Sequence, residues 1–447
     1  MDFKGKKILV VGLARSGMAA IKVLKSLGAE VTLSESRKRE DIKEIDVLNE
    51  LGVETVGQTA EVFEGDYDLC VKNPGVPFRS ANMKRLEERG IQIITEIELA
   101  FIVSKPQHYI AITGTNGKTT TTTLTYEIIN RAFPGKTHLC GNIGIPLCEI
   151  VMNNNLMNES GHYIALEISN FQLVNIDKFR PEVATIINLT PDHIDFMGSL
   201  DAYYKSKTEV YRNMKENDVF ILNGDDPVLK EYTDKYPLNC KIEKFSIENT
   251  GADSFIKDGY FYINGEKVLS LDCVKIVGRH NLQNVIIAVS AAKALGISNE
   301  IIEEAVSEFR GVEHRIEFVR ELNGIRYYND SKGTNTDATV TALKSFDKGV
   351  ILLLGGFEKG LPMDDVKRHL GCVKKVIGFG ACGKRLVDEL VGEDGIVVEN
   401  LVQALDEANK IAGSGDTVLL SPTTSSFDQY SGFEERGEHF KKLVNSL

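Results

Sequence analysis

Residues 108–123 read HYIAITGTNGKTTTTT. The first six, HYIAIT, form a short apolar run of strand character. It enters a turn made of Gly114, Thr115, Asn116, Gly117, Lys118 and Thr119, and a helical-looking segment follows, with Thr120 at its start. Glycines let the backbone curl so that successive N–H groups face one anion. The helix start adds its dipole, and the lysine adds a full charge beside the terminal phosphates. The Thr119 hydroxyl stands where phosphate loops place a magnesium ligand. Two features depart from the general pattern. Ile112 stands five residues before Gly117, where a further glycine is usual, and the run Thr119 to Thr123 is a poor helix start by propensity. A glycine turn without a ligand is the competing reading, but the strand before and the helix after favour a nucleotide phosphate site in an α/β domain.

The same rhythm extends to both sides. Residues 6–103 open with KKILVVG, the helix-like MAAIKVLKSLG and then EVTLSE, a β-α-β start that YDLCVKN and IQIITE continue. Residues 104–107 read as a linker. Between 240 and 277, β-branched and aromatic residues with turns at Asp258-Gly259 and Asn264-Gly265 predict antiparallel hairpins. NVIIAVSAAKALG at 284–296 predicts a helix. From about 312, IRYYND, VILLLGG, KVIGFG, IVVE and TVLLSP predict five strands of a mostly parallel sheet. The expected class is α/β in three domains. A Rossmann-like domain spans 1–104, a P-loop ATPase-like domain with a β-rich portion 105–311, and a second Rossmann-like domain 312–447. A chain of 447 residues is too long for one ordinary core, in keeping with three.

Hydrophobic residues at 42% and charged residues at 26% describe a globular chain, not a disordered one. The net charge of −12 argues against coating nucleic acid, although it leaves room for local basic sites that take small anions. Seven scattered cysteines without a CxxC pair read as reduced thiols, neither a disulfide framework nor a zinc site. MDFKGKKILVVG passes straight into a strand without signal-peptide character, and no apolar run approaches the ~20 residues that span a bilayer. A cytoplasmic protein with no membrane or nucleic-acid partner is expected.

Two further segments suit metal–phosphate chemistry. Glu167 ends the apolar run YIALE, where an acid on a second strand reaches a magnesium ion held on phosphates; a surface glutamate is the bland alternative. INLTPDHID ends a strand in a turn carrying Asp192, His193 and Asp195, although imidazole is not the ligand magnesium favours. Near the start, ILVVG leads into Gly12, Leu13, Ala14, Arg15, Ser16 and Gly17, and Glu35 ends the next strand. This approaches the dinucleotide fingerprint, with Ala14 in place of its middle glycine. An NAD-dependent oxidoreductase is therefore open at this point, as is a non-catalytic nucleotide-regulated binding module. The first leaves the phosphate loop without a task, whereas a different diphosphate-bearing ligand would employ both loops.

GTNGKTT at 114–120, EISNFQL at 167–173, DHID at 192–195, GRHNLQN at 278–284, EHRIEF at 313–318 and NDSKGTN at 329–335 occur in the order seen in the Mur ligases, which the chain resembles over essentially its whole length. Those enzymes build the peptide of bacterial cell-wall precursors, and folylpolyglutamate synthetase is a relative. GLARSG, NPGVP at 73–77 and the ending LLSPTTSSFDQYSGFEERGEHF at 419–440 are most similar to the D-glutamate-adding branch. The DNPR-type motif of the diaminopimelate-adding branch is absent. The rival within the family is a sibling ligase for another amino acid.

The resemblance implies ATP on residues 114–120, with Asn281, Asn284, Arg315 and Asp330 as further ATP contacts, Asp330 through ribose. It implies two Mg²⁺ ions among Thr119, Glu167, His193 and Lys207, the last as a carbamate formed from CO₂. An ammonium beside Mg²⁺ is repelled, whereas a carbamate is an anion that binds it; Lys205 is the neighbouring competitor. UDP-N-acetylmuramoyl-L-alanine is expected on Ser16, Ser36, Arg37, Gly75 and Asn142, and D-glutamate on Lys332, Thr334, Lys359, Ser426, Phe427 and Phe433. Lys118, His193, Lys207 and Arg315 form the catalytic set. Asn170, Glu358 and Phe427 depart from residues common in the family. A monomer is expected, with hinges near 104–107 and 309–313.

Overall fold

The computed structural model describes residues 2–191 and 197–447. Among these, the strands form three sheets. The first joins β1 (Lys7–Val11), β2 (Glu30–Glu35), β3 (Glu54–Gly57), β4 (Leu69–Lys72) and β5 (Ile93–Thr95) in the order β3-β2-β1-β4-β5, with all pairings parallel. The apolar runs ILVV and LCV are buried on both faces, as a parallel sheet covered by helices requires. Strand order reverses between β1 and β4. A crevice therefore opens at their C-terminal ends, the position where such sheets take ligands.

The second sheet joins β6 (His108–Thr113), β7 (Thr137–Gly141), β8 (Tyr163–Glu167), β9 (Val183–Ile186), β10 (Val219–Asn223), β11 (Lys241–Ser246), β12 (Ser254–Lys257), β13 (Tyr260–Ile263) and β14 (Glu266–Ser270). Its order is β14-β13-β12-β11-β10-β9-β6-β8-β7. The hairpins expected from Asp258-Gly259 and Asn264-Gly265 are present, with φ of 51° and 77° at the first turn and 49° and 80° at the second. The expectation of antiparallel pairing throughout 240–277 needs correction, because β11 is parallel to both β10 and β12. The helix expected at 284–296 runs Arg279–Ala294.

The third sheet joins β15 (Glu317–Leu322), β16 (Ile325–Asn329), β17 (Val350–Gly355), β18 (Val373–Phe379), β19 (Ile396–Val397) and β20 (Thr417–Leu420) in the order β15-β16-β20-β17-β18-β19. Six strands replace the expected five. The addition is β15, antiparallel to β16 across a two-residue Asn323-Gly324 turn with φ of 53° and 76°. The remaining pairings are parallel.

The chain divides into two compact units, residues 1–271 with 283–305, and residues 272–282 with 306–447. The first unit holds the first two sheets, and one apolar cluster runs from one to the other. The helix Glu96–Val103 belongs to that core through Ile97, Leu99 and Ala100. The Glu98 carboxylate accepts the N–H groups of Asp177, Lys178 and Phe179 at 2.8–3.1 Å. The linker is bonded down as well. Lys105 N–H reaches the Leu156 carbonyl at 2.8 Å, and Gln107 bonds both Glu159 O and His162 N–H. The hinge expected at 104–107 is thus packed and hydrogen-bonded in place.

Candidate active site

Strand β6 ends at Thr113, and the turn after it is shaped by backbone that only glycine adopts freely. Gly114 and Gly117 have φ of 148° and 84°, and a Cβ on Gly117 would stand 2.5 Å from Asn284 Oδ1. Gly117 caps the helix Lys118–Ala132. Asn188 braces the turn, its Oδ1 accepting from Thr115 N–H at 3.1 Å and Asn116 N–H at 2.9 Å. The threonine run is helical because the fold satisfies its hydroxyls. Thr121 Oγ1 donates to Asn284 Oδ1 at 3.0 Å, Thr122 to Lys118 O at 2.8 Å and Thr125 to Thr121 O at 2.8 Å.

Two lysines meet at this turn. Lys118 Nζ donates to Gly114 O at 3.0 Å and Thr115 O at 2.8 Å, and the buried Lys207 Nζ donates to the same Gly114 O at 2.9 Å. Lys205 lies elsewhere, its ammonium 5.6 Å from the Tyr236 ring centroid. The turn therefore gathers positive charge as well as N–H groups, the pattern of an anion site.

Glu167 ends β8 in register with Ile112 of β6 and Gly141 of β7. Asn142 donates to it twice, from Nδ2 to Oε1 at 2.7 Å and from its N–H to the Glu167 carbonyl at 2.8 Å. The other carboxylate oxygen, Oε2, is buried with no hydrogen-bond partner among the described residues. A buried anionic oxygen without a donor is costly, and a divalent cation is the group that would remove the cost. The Glu167 carboxylate is thus the oxygen donor here whose surroundings suit a hard divalent cation. His193, with Asp192 and Asp195, lies outside the described residues.

In the first sheet, the loop after β1 is closed by Glu35. Its carboxylate accepts N–H bonds from Leu13 at 2.8 Å, Ser36 at 2.8 Å and Arg37 at 3.0 Å, the Ser36 hydroxyl at 3.1 Å, and the Arg37 guanidinium at 3.3 Å. Burial alone would raise its pKa, but the Arg37 and Leu13 hydrogen bonds outweigh it and hold the carboxyl at about 2. The acid that would bind a ribose in a dinucleotide site is spent on its own loop, which removes the main support for the oxidoreductase. Ser16 Oγ accepts from Asn73 Nδ2 at 3.0 Å, and Gly75 N–H donates to Asn73 Oδ1 at 3.0 Å. Asn73 thereby joins the turns after β1 and β4 across the crevice. A cavity of about 490 Å³ opens beside the first turn, with Arg15, Lys22 and Arg37 in its wall.

The second unit carries the remaining residues. Arg315 is exposed between His314 and Ile316, whose φ of 62° and 46° are strained for non-glycine residues. Asp330 is buried, and its oxygens accept from Ile316 N–H at 3.3 Å and Ser421 Oγ at 2.8 Å. Burial pushes its carboxyl up to about 7, against the pull of Ser421 and Arg315. Asp330 so braces the strained turn that presents Arg315. Asn281 is buried with Nδ2 on Val277 O at 2.6 Å, whereas Asn284 belongs to the first unit.

Two pairs of the residues expected at the amino-acid side lie close together. Lys359 Nζ donates to Thr334 O at 3.2 Å, Lys332 Nζ is 5.7 Å from the Phe433 ring centroid, and Ser426 is buried. Phe427 instead is 68% exposed. Glu358 forms a two-pronged ion pair with Arg385 at 2.7 and 2.8 Å. The sequence reading overlooked Arg436, whose fully buried guanidinium binds Ser331 Oγ and O at 3.0 and 2.9 Å, Thr424 O at 3.2 Å and Gly355 O at 3.4 Å. It ties together the segments that carry Lys332, Lys359, Ser426 and Phe433. It lay within the quoted ending, but an arginine among EERGEH looks like a surface charge. Asn73 and Asn188 were missed for a similar reason: each acts only through contacts far away in sequence.

Residues 112–292 match the family model of the Mur ligase middle domain, 314–424 that of the Mur ligase glutamate ligase domain, and 6–95 that of the Mur ligase MurD-like N-terminal domain. The chain belongs to the Mur ligase family. This Mur ligase is 38% identical over 451 residues to a Geobacillus kaustophilus protein named UDP-N-acetylmuramoylalanine--D-glutamate ligase, covering 100% of this chain and 98% of the relative. It is 40% identical over 463 residues to a protein of the same name from Thermoanaerobacter pseudethanolicus, covering 100% of both. Among solved structures, the Thermotoga maritima MurF ligase in complex with ADP shares the fold at a TM-score of 0.59 and 17% identity, over 100% of this chain and 96% of that one. UDP-N-acetylmuramate-alanine ligase from the same organism follows at 0.55 and 19%, over 99% of each chain. The three-sheet α/β architecture is thus that of a Mur ligase. No helix among the described residues is long and apolar enough to cross a membrane.

Proposed function

We propose that this chain is a cytoplasmic, monomeric, ATP-dependent ligase that joins D-glutamate to UDP-N-acetylmuramoyl-L-alanine in peptidoglycan precursor synthesis. The observation that carries the reading is the phosphate turn at the end of β6 beside the buried Glu167, one oxygen of which has no partner among the described residues. Full-length likeness to proteins named for this reaction supports the choice of substrates. The assigned domains are 1–104 for the sugar nucleotide, 105–311 for ATP and 312–447 for the amino acid.

A carboxylate is a poor electrophile at neutral pH, so it must be activated before an amine can attack. The terminal alanine carboxylate attacks the γ-phosphorus of ATP, the bond to ADP breaks, and an acyl phosphate forms. The amine of D-glutamate then attacks the acyl carbon, loses a proton, and phosphate departs with the C–O bond electrons. The protein contributes positioning and charge. Lys118 leaves the loop carbonyls for the phosphates, and Thr115, Asn116, Gly117, Thr119 and Thr120 present the turn. Asn284 sets the helix behind it, and Asn281, Arg315 and Asp330 supply further ATP contacts. Ser16, Ser36, Arg37, Gly75 and Asn142 hold the sugar nucleotide; Lys332, Thr334, Lys359, Ser426, Phe427 and Phe433 hold D-glutamate.

Two Mg²⁺ ions, held by Thr119, Glu167, His193 and a Lys207 carbamate, would neutralise phosphate charge. The carbamate suits the local electrostatics, because two ammonium groups now share the Gly114 carbonyl. Converting one to an anion turns repulsion into attraction.

The test is phosphate release with UDP-N-acetylmuramoyl-L-alanine and, in parallel, D-glutamate, L-glutamate, L-lysine or diaminopimelate. Release with D-glutamate alone is expected. Equal release with L-lysine, or release without any amine, would overturn the assignment.

A further inference from the structure

The reading above leaves the buried charge of Lys72 without a task. Lys72 is the last residue of β4, at the β1/β4 crevice, and is 1% exposed. Side chains alternate along a strand, so Lys72 shares a face with Cys70, which packs in the apolar layer of Leu9, Val11, Phe63, Met83 and Leu86. From there its Nζ donates to Asn73 O at 3.1 Å and Val76 O at 3.0 Å, closing the turn that contains Gly75. Asn73 then reaches Ser16 of the first loop and Gly75 N–H with its side chain. Among the described residues, no carboxylate forms an ion pair with this ammonium. Burial pushes Lys72 down to about 8; the titratable group acting on it is the Cys70 thiol, itself pushed up to about 12 by burial.

A methionine or leucine would fill this space without the cost of desolvating a charge. What the charge adds is a rigid bracket from β4 through the 73–76 turn to the loop after β1, and a positive centre beneath a crevice that takes ligands. We propose that Lys72 is a positioning residue for the anionic sugar nucleotide: it locks the two crevice turns together, and the diphosphate supplies the negative charge that the ammonium otherwise lacks. This rests on the reading that the crevice holds UDP-N-acetylmuramoyl-L-alanine.

The variant Lys72→Met keeps the bulk and removes the charge. Its KM for the sugar nucleotide should rise about 10- to 100-fold, the worth of hydrogen bonds from a charged donor. Its kcat and its KM for ATP and D-glutamate should stay near wild type, and Lys72→Arg should recover part of the loss. An unchanged KM for the sugar nucleotide in Lys72→Met would overturn the role. A second measurement needs only wild-type protein: calorimetric titration with the sugar nucleotide in two buffers of different ionisation heat. A diphosphate diester has no proton of its own to exchange near pH 8, so uptake of up to about half a proton there, fading at pH 6.5, reports the ammonium. Binding without proton uptake at pH 8 would sink the charge-matching half of the proposal even if Lys72→Met fails to fold. Wild-type protein that neither binds nor turns over the sugar nucleotide would instead fail the reading of the crevice, and this role with it.

Discussion

Glu35 makes the closure of the first loop measurable. Glutamine at this position resembles the protonated acid: it keeps one acceptor oxygen but turns an N–H₂ toward a cluster of donors from Leu13, Ser36 and Arg37. The carboxyl lies at about 2 in the folded protein, against about 4.3 for an unperturbed glutamate. The difference, a little over two pKa units, sets an upper bound of about 3 kcal/mol favouring the ionised folded form, and solvent screening through the exposed Arg37 lowers it to about 1–2 kcal/mol. Because the folded pKa is depressed, that stabilisation is complete above the unfolded pKa and drains away as pH falls toward 2. Glu35→Gln should therefore cost about 1–2 kcal/mol at pH 7 and about half of that at pH 3. Urea unfolding of both proteins across that range reads the gap, assigned to the transition of the unit that contains residue 35. A gap below about 0.5 kcal/mol at pH 7, or one that stays constant down to pH 3, would refute the reasoning.

Other consequences follow from the same geometry. Lys118→Met should cut phosphate release by about a thousandfold or more while the far-ultraviolet circular dichroism stays unchanged. Gly117→Ala combines a φ of 84° with a Cβ 2.5 Å from Asn284 Oδ1, so ATP affinity should fall about tenfold or more in an equilibrium binding assay. Arg436→Met breaks the bonds to Ser331, Thr424 and Gly355; about 2–4 kcal/mol of stability should be lost, and KM for D-glutamate should rise well beyond any change in KM for ATP. Glu96 is buried with one oxygen unpartnered among the described residues, and burial pushes its carboxyl up to about 7. Its folded form prefers the neutral acid, so it removes stability as pH rises from about 4.3 through 7. Glu96→Gln should be more stable than wild type at pH 8 and equal to it at pH 4, read by thermal unfolding.

The strand–turn–helix at 108–120 was legible in the sequence because all its causes are local: β-branched residues, two glycines and a helix start. The hairpins at Asp258-Gly259 and Asn264-Gly265 were legible for the same reason. Strand β15 was not, because EHRIEF was read as a motif and the Asn323-Gly324 turn beside it passed over. The parallel pairing of β11 is a matter of which strand lies beside it, which periodicity does not encode. At the candidate site, residue types pointed to Glu167 and Lys207, but their partners could not be read. That Lys207 reaches Gly114, 93 positions away, depends on tertiary packing. Glu35 shows how sequence pattern misleads: the spacing suggests a ribose ligand, while the folded chain uses the carboxylate for its own amides.

The bonded segment at 104–107 and the Glu98 carboxylate beneath residues 177–179 fix the β1/β4 crevice and the phosphate turn within one body. In the proposed reaction, the acceptor carboxylate and the nucleotide γ-phosphorus sit on these two features. The relative placement of the two binding features is then set once, during folding, while each substrate gives up its own translational and rotational freedom on binding in every catalytic cycle. That recurring entropic cost falls on all three substrates, the amino acid among them.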